Sequence, residues 1–144
     1  MKYIKGQQRN QITMVTECLE DYISEENPVR VIDAFVDSLD LDLAGFNRTT
    51  PASTGRPPYD PRDLLKLYVY GYFNKIRSSR KLMVECTRNI ELFYLLRKLK
   101  PDFRTIADFR KDNFKALKKV FNTFVKICLK QLQRSWGLVF LLII

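Results

Sequence analysis

The chain contains no histidine. That removes Ser-His and Cys-His nucleophile pairs, His-containing zinc sites and the usual switch near neutral pH. Cysteine is scarce, and Cys18, Cys86 and Cys128 are odd in number and far apart. With no C-x-x-C spacing they suit neither a disulfide framework nor a zinc cluster, so no metal site is expected. Each lies among apolar neighbours and is expected to be a small core residue of a reducing compartment, which points to the cytoplasm. The opening MKYIKGQQRN lacks the apolar run of a signal peptide. No apolar run approaches the roughly 20 residues of a spanning helix, so no stable membrane insertion is expected. Gly-rich phosphate loops are missing. Acid is missing from the last part of the chain, where nothing acidic follows Asp112.

What is present is apolar and basic. Hydrophobic residues make up 46% of 144, enough for the core of one ordinary domain. Residues 1–60 hold six basic and ten acidic residues, a net −4, whereas 61–144 hold nineteen and six, a net +13. A positive field concentrated in one part attracts polyanions, of which double-stranded DNA is the commonest. A well-solvated basic surface explains the same charge count.

The periodicity predicts an all-α fold: a compact multi-helix domain with a helix-turn-helix-like unit, a loose N-terminus and a short apolar C-terminal tail. Residues 1–44 form an N-terminal helical segment. Within it a short amphipathic piece spans Ile12 to Tyr22, and Asn27-Pro28 caps a helix whose stripe is Val29, Ile32, Phe35, Val36 and Leu39. Residues 45–60 are a Pro/Gly/Ser/Thr-rich connector. Residues 61–134 form a basic helical core, one domain with the first segment. Asp60-Pro61 opens its first helix, apolar on most of its circumference and hence central, with Gly71 suited to close helix approach. Tyr68, Tyr70, Tyr72 and Phe73 suit that core, or else stacking on bases.

A new helix is capped by Ser78 or Ser79, and its apolar continuation runs to Pro101. Thr105 and Asp108 resemble a capping box, with Ile106 and Phe109 inward. The last helix, from about Phe114 to Arg134, carries a stripe of Phe114, Leu117, Phe121, Phe124, Val125, Cys128 and Leu132 opposite a lysine face. Residues 135–144 are an apolar tail in which Gly137 turns the chain into LVFLLII, a potential edge strand.

Two short helices joined at Arg77, Ser78 and Ser79 suit a helix-turn-helix-like unit. A capped helix start beside Arg80 and Lys81 suits a phosphate, because free N–H groups and the helix dipole both favour an anion. Arg88, Arg104, Arg110 and Lys111 complete the candidate DNA-binding set. An ordinary helical hairpin with a solvated basic rim has the same pattern. Catalytic candidates are none: Asp63, Glu85, Glu91, Asp102, Asp108 and Asp112 fall near helix starts or beside basic partners, as caps and ion pairs do.

Several segments in order, YDP–LLKLY–YGY, RSSRKL, ECTRN and PDFRTIADFR, resemble the N-terminal domain of bacterial insertion-sequence DDE transposases of the InsH type. The resemblance covers about residues 12–134. Thr87 stands where the family pattern has His. The resemblance implies a DNA-binding module involved in transposition and recombination, with terminal inverted repeats as the DNA and transposase subunits as further partners. It further implies truncation before the catalytic RNase H-like domain, so the tail is expected to be a remnant and the chain not an enzyme. No cofactor is expected, Mg²⁺ belonging only to the missing domain. Two rivals stay open: a helical protein-interaction module that pairs with full-length transposase as an inhibitor, and membrane-surface association through the basic helix and tail.

Overall fold

In the computed structural model residues 7–47, 54 and 58–143 are described, with the backbone alone for 132, 133 and 135–143. Most of the connector therefore lies outside the described residues. A 3-10 turn at Leu19–Tyr22 precedes six helices: α1 Val29–Asp37, α2 Pro61–Phe73, α3 Ser79–Arg88, α4 Ile90–Leu96, α5 Phe103–Asp112 and α6 Phe114–Ile143. Among the described residues there is no strand, so the fold is all-α.

The helix starts follow from single side chains. Asn27 Oδ1 accepts from the Val29 amide at 2.9 Å, and Pro28 already has helical angles, so Asn27 caps α1. Asp60 does the same for α2, accepting from the Arg62 amide at 2.9 Å. The end of α2 is set by Lys75, at φ 60°. With it in the left-handed region, the Ile76 amide reaches the Gly71 carbonyl at 2.7 Å and closes a Schellman turn.

The α2 helix is central and buried from Asp63 to Gly71. It packs against α1 on one side and α4 on the other, while α3 packs against α5. Val29, Ile32 and Val36 of α1, Leu65, Leu67 and Val69 of α2, and Leu92, Leu95 and Leu96 of α4 share one core. Phe109 extends it, stacked between Phe46 and Tyr68 with centroids 5.9 Å away on each side. The Tyr68 hydroxyl donates to the Ile106 carbonyl at 2.5 Å, and burial pushes its pKa up to about 12. Phe124 of α6 meets Phe35 of α1 at 5.1 Å.

Gly71 is required by close approach. A Cβ there would lie 2.9 Å from the Ile76 carbonyl oxygen and 2.9 Å from Leu82 Cδ2. The carbonyl is backbone of Ile76, the residue whose amide closes the Schellman turn, so making room means moving the chain that leaves the helix. Gly71→Ala is expected to cost about 1–3 kcal/mol despite alanine's better helix propensity. A urea melt checks this, and an unchanged midpoint would mean that the turn yields freely.

Several sequence expectations are corrected. Residues 12–18 form no helix, and Ile12, Met14 and Val15 are 94%, 101% and 75% exposed. Regular structure begins only at the 3-10 turn, held by Arg30, which bonds the Ser24 and Ile23 carbonyls and the Glu20 carboxylate. The helix opened by Ser78 breaks at Asn89, which is extended. Its Oδ1 caps the Glu91 amide, and its Nδ2 donates to the Tyr70 hydroxyl at 2.8 Å. Asp102, not Thr105, caps α5, accepting from the Thr105 amide at 2.8 Å.

The α6 stripe is turned: Ala116 and Val120 are buried and Phe114 is 58% exposed. Cys18 is exposed, whereas Cys86 is buried and its thiol is pushed up to about 11 by desolvation. The tail is helical to Ile143 rather than an edge strand. A helix satisfies its backbone locally, where a strand needs a partner, and one Gly137 costs about 1 kcal/mol. None of the described helices is long and apolar enough to cross a membrane.

Candidate nucleic-acid interface

Ser78 caps α3 loosely, its Oγ accepting from the Lys81 amide at 3.5 Å. The first amides of α3 therefore point outward beside Arg80 and Lys81, both exposed. Ser79 is half-buried at the first helical position.

Packing of α3 on α5 brings two distant segments together. Phe103 opens α5, and the Arg80 guanidinium lies over its ring at 4.7 Å. Arg104 lies over the same ring at 5.8 Å. A stacked guanidinium loses less freedom on meeting a phosphate, because its plane is already held. Along α5 Arg104 and Lys111 are exposed neighbours, and Arg110, also exposed, lies about 120° round the helix from Arg104. Asp108, one turn after Arg104, and Asp112 line a cleft with Asn47, Tyr59 and Asp102.

Arg77 and Arg110 line one cleft together, joined there by Lys118 of α6. None of Arg77, Arg80, Lys81, Arg104, Arg110 and Lys111 forms an ion pair with a described residue. Arg88 is different. It ends α3, about 13 Å along the axis from its start, and pairs with Glu85 beside Glu91. The pairing with Arg88, then the bond from Asn89, lowers the Glu85 pKa. Arg88 is therefore the one member of the candidate set with an ion pair to a described residue. Phe103 and Lys118 were missed from sequence. Phe103 carried a signal, as an aromatic ring flanked by Arg104 and preceded by a cap residue.

Three of the six acids of the basic half have structural partners. Asp63 is buried and pairs with Arg97 at 3.1 Å, Glu85 with Arg88, and Asp102 caps α5. Burial raises the Asp63 pKa, and Arg97 opposes the shift. Among the described residues no three Cys, Asp or Glu side chains are grouped to hold a metal.

The described residues form a helical domain whose exposed cations gather at one helix start and along a second helix packed on it. The family is specific: residues 17–112, about two-thirds of the chain, match the family described as Transposase domain (DUF772), and the chain belongs to it. No curated protein and no solved structure matches the chain.

Proposed function

We propose that the chain is the DNA-binding N-terminal module of an insertion-sequence transposase of the InsH type, seated on terminal inverted repeats. The supporting observation is the set of exposed cations Arg77, Arg80, Lys81, Arg104 and Arg110, none ion-paired with a described residue and brought together by the packing of α3 on α5. Family membership as a transposase domain agrees with this reading. Helix-start amides and arginines position a phosphate backbone, and the exposed side of α3 offers residues to a groove.

Anisotropy with a terminal-repeat duplex tests it. Five phosphate contacts predict a loss of affinity of about 500-fold between 50 and 200 mM salt. Salt-insensitive binding, or none, sinks the reading. We further propose that this chain binds without cutting, the chemistry requiring a carboxylate set that the described residues do not assemble. Incubation with Mg²⁺ or Mn²⁺ is expected to leave the DNA intact. Metal-dependent nicking that vanishes in an acidic-residue variant would overturn this part.

A second reading, docking onto transposase subunits, is favoured by one observation. Ile12, Met14 and Val15 are almost fully exposed on an irregular segment. Light scattering separates the two, since docking of this kind persists without DNA.

A further inference from the structure

One cleft beside the exposed cations of α3 and α5 differs in character from the rest of that surface. Tyr72 closes α2 with its ring stacked on Phe121 of α6, centroids 4.9 Å apart and planes 16° apart. Tyr72 is nevertheless 52% exposed, and Phe114, the first residue of α6, is 58% exposed. Together with Leu117 these rings floor a cleft of about 470 Å³ between α2, α5 and α6. Its rim carries Arg77, Arg110 and Lys118, and Asn122 offers an amide inside. No carboxylate lines it.

We propose that this cleft receives one unstacked nucleotide of a DNA end, its base against Phe114 and the Tyr72–Phe121 pair and its phosphates on Arg77 and Arg110. The inference rests on the DNA-binding reading. A nucleotide joins a flat aromatic face to an anion a few atoms away, and the cleft joins aromatic walls to guanidinium groups in the same order. The Asn122 amide can both donate to and accept from a base edge. Continuity selects nucleic acid over an acidic protein. Arg77 lies in the turn that leads into α3, and Arg110 is one of the exposed cations of α5. A strand seated on those cations therefore passes the mouth of the cleft.

The test compares two DNAs with the full chain: a blunt duplex, and the same duplex with two unpaired nucleotides at one end. One stacked base is expected to give about tenfold tighter binding to the second DNA. A 2-aminopurine at the unpaired position is expected to lose fluorescence on binding, as a base stacked on a ring does. Phe114→Ala is expected to remove both the preference and the quenching while leaving blunt-duplex affinity unchanged. Phe114→Tyr, which keeps the ring, restores them, and melts of both variants confirm folding. Equal affinity for the two DNAs, with blunt-duplex binding intact, overturns the cleft and leaves the DNA-binding reading standing. Failure to bind either DNA overturns both. Binding of a labelled poly-glutamate peptide that depends on Phe114, with no preference between the DNAs, assigns the cleft to an acidic protein instead.

Discussion

Replacing Arg77, Arg80 and Lys81 together by alanine is expected to weaken duplex binding by about 150- to 2000-fold. Each contributes about 1–1.5 kcal/mol to a phosphate contact, the low end for charged hydrogen bonds because all three are exposed and screened. The slope of log affinity against log salt is expected to become shallower by about three, one for each phosphate released. Folding should survive. All three side chains are exposed, and the stack of Arg80 on Phe103, which the variant gives up, is worth about 0.5–1 kcal/mol. Arg88→Ala is the internal control. Its guanidinium is already taken by Glu85, with Glu91 nearby, so its loss should leave affinity almost unchanged. A folded triple variant that binds as tightly as the parent would remove the α3 start from the interface. An Arg88 variant that loses as much as the triple would move the interface to the other end of the helix.

The parts of this fold legible in the sequence are those decided within four residues. The caps at Asn27 and Asp60 are local bonds to an amide two residues on. The centrality of α2 follows from apolar residues on nearly every side. What was not legible depends on partners far along the chain. Asn89 interrupts a stretch whose helical spacing continues on both sides of it, and it bonds Tyr70, nineteen residues earlier. The exposure of Phe114 depends on which arc of α6 meets α1 and α2, and Phe35 and Tyr72 choose that arc by stacking with Phe124 and Phe121. Cys18 is exposed at the end of an irregular segment on which Ile12, Met14 and Val15 are exposed as well. The candidate interface divides the same way. Arg77 to Lys81 form one contiguous segment. Their meeting with Arg104 exists only because α3 packs on α5, and the pairing of Arg88 depends on Glu85 one turn before it.

Lys66 carries the second large expected effect. It lies in the middle of α2 with its side chain 10% exposed, a place where a lone ammonium would be costly. Asp33 and Asp37 of α1 meet its Nζ at 2.6 and 2.9 Å, which ties the central helix to its neighbour. Burial pulls the Lys66 pKa down, and the bonds from Asp33 and Asp37 more than offset this, leaving it above the ordinary lysine value. The sign then follows from linkage. A raised pKa in the folded state contributes stability that is present below the unfolded value and is lost as pH rises through the folded one. Lys66→Ala is expected to cost about 3 kcal/mol, the low end for breaking a buried pair, because the two carboxylates left behind are 29% and 55% exposed and regain water. For a domain of this size that lowers Tm by about 10 °C. Lys66→Met fills much of the same volume and isolates the charge from the cavity. It is expected to lose stability at neutral pH and to lack the share of the parent's alkaline decline that Lys66 supplies. Lys130→Ala, on the exposed side of α6, should change stability by less than about 0.5 kcal/mol. If Lys66→Met instead melts with the parent across the whole range, α1 is held to α2 by apolar packing alone and the ion triad contributes nothing.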